Sequence, residues 1–212
     1  MNGSALRGLY AITPDALCTD TARLESAAAA ALRGGARLLQ LRDKSGDDRR
    51  RRANAQRLQA LCQQHGAQLL INDDVELAAA LGAGVHLGAS DSPLAQARAR
   101  LGPQALIGVS CANMLARALT AQAQGASYVA FGRFFASNTK PDAPQADPAL
   151  LREARPQLRI PVCAIGGVTP ANARVLLDAG ADLVAAIEGV FGAGSNNRIE
   201  AAAAAYARLF AE

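Results

Sequence analysis

The chain has 212 residues, half of them apolar and 19% charged, with 19 glycines and 9 prolines. That balance excludes a disordered, collagen-like or low-complexity chain, and at about 150 residues per domain it allows one large domain or two small ones. The net charge of +4, from 22 basic against 18 acidic residues, permits an anionic partner without naming one.

No apolar run approaches the roughly 18 residues of a membrane span, so no membrane association is expected. The N-terminus carries no signal-peptide pattern, which makes a cytoplasmic location the expectation. Cys18, Cys62, Cys111 and Cys163 form no CxxC pair and are expected to be reduced and mostly buried.

Taken in chain order, short apolar runs alternate with longer amphipathic segments. Leu9 to Ile12 predicts a first strand and Thr21 to Leu32 the helix after it. Leu38 to Leu41 predicts a second strand, followed by a helix from Asp48 to His65. The run Arg49 to Arg52 follows two aspartates and has no aromatic cluster beside it, so it reads as a solvated helical face, and no nucleic-acid partner is expected. Leu69 to Ile71 and Val85 to Leu87 predict the third and fourth strands, with room for only short helices after them.

Leu106 to Val109 and Val129 to Phe131 flank a helix from Asn113 to Gln124. A long loop, Thr139 to Pro148, leads into a helix from Asp147 to Arg155. Ile160 to Ile165, a helix from Pro170 to Ala179, and Leu183 to Ile187 complete eight candidate strands. Apolar strands alternating with helices imply a parallel sheet under helical cover. Eight such units closing on themselves make an α/β fold, a (β/α)₈ TIM barrel over residues 1–212 as one domain; a doubly wound open sheet is the alternative.

In a barrel, polar residues at the C-terminal strand ends reach the ligand. Gln40, Arg42 and Lys44 alternate with Leu41 and Asp43, which places the first three on one face if the strand continues that far. Two cations beside an amide suit a phosphate or pyrophosphate; a solvated strand end is the other reading. Asn72-Asp73-Asp74 and His86 to Asp91 add carboxylates to the same rim. Asp73 and Asp91 could ligate Mg²⁺, whereas Asp74 and Asp91 could equally cap helices. Ser110 ends the fifth strand, and Ser137, Asn138, Thr139 and Lys140 form a loop suited to oxyanions. Gly166 and Gly167 allow close backbone approach, and Ile187-Glu188-Gly189 ends the eighth strand, beside which many barrels hold a phosphate.

These segments together resemble the thiamine phosphate synthase family over nearly the whole chain. The likeness rests on Tyr10-Ala11-Ile12-Thr13, Gln40 to Lys44, Ile71 to Asp74, Gly84 to Gly88 with Asp91, Gly108-Val109-Ser110, Ser137 to Lys140, and Ala164 to Gly167, in register. The resemblance implies a (β/α)₈ barrel that joins a pyrimidine methyl diphosphate to a thiazole phosphate with Mg²⁺ and releases pyrophosphate. It implies that Gln40, Arg42, Lys44, Asn72, Ser110 and Lys140 hold the pyrimidine diphosphate, with Leu41, Asp43, His86 and Asn138 among the binding residues, and that Asp73 and Asp91 ligate Mg²⁺. Arg42, Lys44 and Lys140 would neutralise the leaving group, while Ser137, Thr139, Gly167 and the backbone at Ile187 and Glu188 would hold the thiazole phosphate. The chain departs from the family at Ala89, usually Gln, in the usually Pro-rich surroundings of Arg133 and Ala136, and at Glu188, often Ser. A carboxylate there repels a phosphate unless the side chain turns away. A thiazole tautomerase-like enzyme and a non-catalytic thiamine-phosphate-binding barrel are the competing readings; no protein partner is legible.

Overall fold

Alternating inward and outward side chains organise the molecule. In the computed structural model, which describes residues 6–88, 91–136 and 144–211, eight parallel strands close in sequence order into a barrel. They are β1 (Gly8–Ile12), β2 (Leu38–Leu41), β3 (Gln68–Asn72), β4 (Gly84–Leu87), β5 (Ile107–Ala112), β6 (Tyr128–Phe131), β7 (Val162–Ile165) and β8 (Leu183–Ala186). β1 pairs with both β2 and β8, which removes the open edge and sets aside the doubly wound alternative.

The helices are α1 (Asp15–Cys18), α2 (Thr21–Arg33), α3 (Asp48–Gln64), α4 (Val75–Leu81), α5 (Leu94–Leu101), α6 (Leu115–Ala123), α7 (Pro148–Ala154), α8 (Pro170–Asp178), α9 (Glu188–Phe191) and α10 (Asn196–Leu209). As expected for so compact a barrel, α4 and α5 are only 7 and 8 residues long. Aspartates start several helices by accepting orphan backbone N–H groups. Asp20 caps α2 through Arg23 N at 3.0 Å, Asp47 caps α3 through Arg50 N at 2.9 Å, and Asp74 caps α4 through Leu77 N at 2.9 Å. The Arg49 to Arg52 run lies on α3, where Arg50 pairs with Asp47 and Arg51 with Asp48 and Asp74.

Period-two patterning sorts the strand residues into two cores. Leu9, Ala11, Leu39, Leu41, Leu69, Ile71, Val129 and Val184 face the helices, in the larger cluster. Tyr10, Ile12, Leu38, Leu70, Tyr128, Ala130, Cys163, Leu183 and Ala185 fill the barrel. The two tyrosines need space, and Gly108, opposite Tyr128 in the register, supplies it: a Cβ at that position would run into the Tyr128 ring. All four cysteines are free and buried. Burial pushes the thiols of Cys62 and Cys111 up to about 12, well away from thiolate chemistry at neutral pH.

Candidate active site

The C-terminal strand ends enclose a cavity of about 490 Å³. Inward positions of β2 to β5 carry Gln40, Asn72, His86 and Ser110 to its wall, and Arg42 joins them from the residues just past β2. The opposite wall is built from Ala130, Gly132, Cys163, Ile165, Gly166, Gly167, Ala185 and Ile187, which present small or apolar side chains and backbone.

Strand β2 stops at Leu41, so the expected single face of Gln40, Arg42 and Lys44 does not extend to Lys44. Gln40 is 2% exposed and donates from Nε2 to the Tyr10 hydroxyl. Arg42 is held by Asp15, whose Oδ2 accepts from Nη1 at 2.6 Å while its Oδ1 accepts from the Lys44 backbone at 3.0 Å. Lys44 turns along the rim, where its amino group contacts the Asp73 carboxylate. The side chains of Leu41 and Asp43 do not line the cavity, which leaves their backbone as the part that could meet a substrate. Leu41 packs toward the helices because its strand position points outward, and Asp43 is 6% exposed, with Oδ1 accepting from Ser45 N at 2.9 Å.

The rim carboxylates part company. Asp74 is the cap of α4, as the capping reading has it, but α5 starts from Pro93, and Asp91 instead accepts from the Gly88 backbone N–H. Asp73, at a φ of +64°, also receives a hydrogen bond from Asn72 Nδ2. Its carboxyl lies within hydrogen-bonding reach of Asp91. Burial works against ionisation of Asp73, yet hydrogen bonds from Asp91 and Lys44 hold it below its usual value; Asp91 is pushed up, first by burial and then by Asp73. Two carboxylates this close need a cation or a shared proton between them. Among the described residues no group of three or more His, Cys, Asp or Glu is placed to hold a metal; the pair could supply two carboxylate ligands. That number suits Mg²⁺, which takes one or two carboxylates and fills its remaining positions with phosphate oxygens and water.

At the far wall, Gly167 adopts a φ of +62° and lies so close to the 133–136 segment that a Cβ would strike the Ala136 carbonyl oxygen. Glu188 opens α9 and lines the cavity, yet its Oε2 stands 2.6 Å from where a Cβ on Gly192 would be, one turn along the helix. The carboxylate is thus folded back over its own helix, the arrangement under which the backbone at Ile187 and Glu188 could still meet an anion. Ser137, Asn138, Thr139, Lys140 and Ala89 lie outside the described residues.

Several residues of the site carried no role in the sequence reading. Asp15 orders Arg42 from the start of α1, and a carboxylate just past a strand end was the available signal. Tyr10 and Tyr128 belong to the interior by period two. Arg117 and Arg133 also line the cavity, and neither position follows from strand periodicity.

A model of the family described as TMP-TENI, thiamine monophosphate synthase, matches residues 9–190. The chain belongs to this family. It is an enzyme, a transferase. It is 57% identical over 190 residues to a thiamine-phosphate synthase of Thioalkalivibrio sulfidiphilus (strain HL-EbGR7), covering 89% of this chain and 90% of that one. The thiamine phosphate pyrophosphorylase from Pyrococcus furiosus superposes with a TM-score of 0.84 at 32% identity, over 95% of this chain and 94% of the other. The fold alone is shared with N-acetylmannosamine-6-phosphate 2-epimerase from Clostridium perfringens, at a TM-score of 0.64 and 15% identity over 87% and 88% of the two chains.

Proposed function

We propose that the chain is a thiamine phosphate synthase that condenses 4-amino-2-methyl-5-(diphosphomethyl)pyrimidine with 4-methyl-5-(2-phosphoethyl)thiazole, giving thiamine phosphate and pyrophosphate. The observation that supports this reading is a division within one cavity: Arg42 and amide and hydroxyl side chains from β2 to β5 face a wall from β6 to β8 that is mostly small residues and backbone, with Arg133 and Glu188 at its edge. A diphosphate fits beside the first wall, and a second, flatter substrate with its phosphate near Gly167 and Ile187 fits the other.

Arg42, pre-ordered by Asp15, would take charge from the diphosphate as the C–O bond to the pyrimidine methylene breaks. The electron-rich aminopyrimidine stabilises the methylene cation, and the thiazole nitrogen captures it, so no side-chain nucleophile is required. Gln40, Asn72 and Ser110 would orient the pyrimidine for that attack. Lys44 at the rim, with Lys140, would add positive charge near the departing pyrophosphate. Asp73 and Asp91 would hold Mg²⁺, whose contribution when bound is to neutralise diphosphate oxygens. The apolar strip of Ala130, Cys163 and Ile165 excludes water that would otherwise trap the cation. We further propose a cytoplasmic location; among the described residues no helix is long and apolar enough to cross a membrane.

The test is pyrophosphate release from both substrates, with and without Mg²⁺, and with thiamine phosphate identified by mass. Both products, dependent on Mg²⁺, are expected. Proton exchange on the thiazole without pyrophosphate would replace this reading with a tautomerase, and tight binding of thiamine phosphate without turnover would replace it with a binding protein.

A further inference from the structure

A line of hydrogen bonds crosses the barrel at the cavity floor, and the reaction proposed above uses only its two ends, Gln40 and Ser110. Gln40 Nε2 donates to the Tyr10 hydroxyl, and Tyr128 donates to the same oxygen at 3.1 Å. His86 Nδ1 lies 2.8 Å from the Tyr128 hydroxyl, and His86 Nε2 lies 2.9 Å from Ser110 Oγ. The rings that carry these groups brace one another: Tyr10 meets Tyr128 edge-on at 5.9 Å, and His86 stacks on Tyr128 at 5.7 Å. Tyr10 is 1% exposed and Tyr128 fully buried, and that burial raises both phenols so far that each keeps its proton.

Counting hydrogens fixes the polarity of the line. A phenol has one hydrogen to donate. Tyr128 commits its hydrogen to Tyr10, so toward His86 it can only accept, and Nδ1 must be the protonated nitrogen. A neutral imidazole protonated there has a bare Nε2, which accepts from the Ser110 hydroxyl. Ser110 Oγ then has lone pairs and no hydrogen left for the cavity. We infer that Tyr10, Tyr128 and His86 are positioning residues that hold Ser110 as a hydrogen-bond acceptor toward the bound substrate, so this wall selects a ligand with an N–H donor at that point. The inference deepens the proposed function and rests on it for the ligand, since an aminopyrimidine carries such a donor. The proton positions themselves do not depend on it.

The chain has only two histidines, His65 and His86, so proton–nitrogen NMR correlations of the histidine-labelled protein resolve each ring without ambiguity. At neutral pH and without substrate, His86 is expected to show a protonated Nδ1 and a bare Nε2. Tyr10→Phe frees the Tyr128 hydrogen to turn toward Nδ1, and Tyr128→Phe removes the hydroxyl that accepts from Nδ1. Both variants keep the packing rings, and in both the hydrogen should move to Nε2. The kcat/KM for the pyrimidine substrate should fall about tenfold in each, while Ser110→Ala keeps the Nδ1 proton.

A wild-type ring protonated on Nε2 or on both nitrogens would overturn the inference, as would tautomers unchanged in the two tyrosine variants. The wild-type spectrum decides the matter alone if neither variant folds. Product formation is scored separately: thiamine phosphate made by an enzyme whose His86 carries its hydrogen on Nε2 removes the inference and leaves the function. An Nδ1-protonated ring in a protein that makes no product does the reverse.

Discussion

The two walls of the cavity are made of different material. From β2 to β5 the inward positions end in Gln40, Arg42, Asn72, His86 and Ser110, each tied to a neighbour by a hydrogen bond or ion pair. From β6 to β8 they end in Ala130, Cys163, Ile165, Ala185 and glycine-rich turns. The first wall can act through side chains that carry charge and donors, the second mainly through backbone groups and shape, with Arg133 and Glu188 at its edge. Side-chain recognition fails by deletion of a group, whereas backbone recognition fails by addition of one, and this contrast can be tested wall by wall.

The largest effect is expected from Arg42→Ala, which removes a preorganised cation and leaves Asp15 without its ion pair; pyrophosphate release should fall by about a thousandfold in kcat. Full turnover in this variant would break the assignment of the first wall. Asp73→Asn should cost about a hundredfold and raise the Mg²⁺ concentration needed for half-maximal rate, read from a metal titration of the same assay. On the second wall, Gly167→Ala adds a single methyl at a left-handed backbone position against the Ala136 carbonyl. It should raise the thiazole KM more than the pyrimidine KM and destabilise the fold by about 1–3 kcal/mol in urea unfolding. Glu188→Gln should change the thiazole KM by no more than about threefold, because an exposed carboxylate directed along α9 is screened from a bound anion. A large gain in thiazole affinity would show that the carboxylate swings into the site.

Much of the barrel was legible because strand residues on its outer face must be apolar, and apolar runs separated by helix-period segments survive as a sequence pattern. Leu38–Leu41 is found with the expected bounds. Elsewhere the ends moved for local reasons. β7 begins at Val162, since Pro161 has no N–H to give to a ladder. β5 runs on to Ala112 through an irregularity at Ser110 to Ala112, where φ of Ala112 is +50°. Periodicity placed Gln40 and Arg42 correctly but carried Lys44 too far, because the alternation Gln-Leu-Arg-Asp-Lys continues past the last hydrogen-bonded residue of β2.

The sequence by itself determined which residues face inward, since a period of two is a property of the backbone and needs no partner to express it. It also determined the family, through motifs that keep their order along the chain. Only the tertiary structure decided what those inward residues do to one another. Tyr10 and Tyr128 are 118 residues apart, and they become neighbours over Gly108 only when the barrel closes. Asp15 reaches Arg42 where β1 and β2 pair, and Asp91 turns from helix cap to partner of Asp73 where β3 and β4 pair. Hydrogen bonds and charge pairs act over a few ångströms of space, and a linear pattern carries no record of which of its polar groups will stand that close.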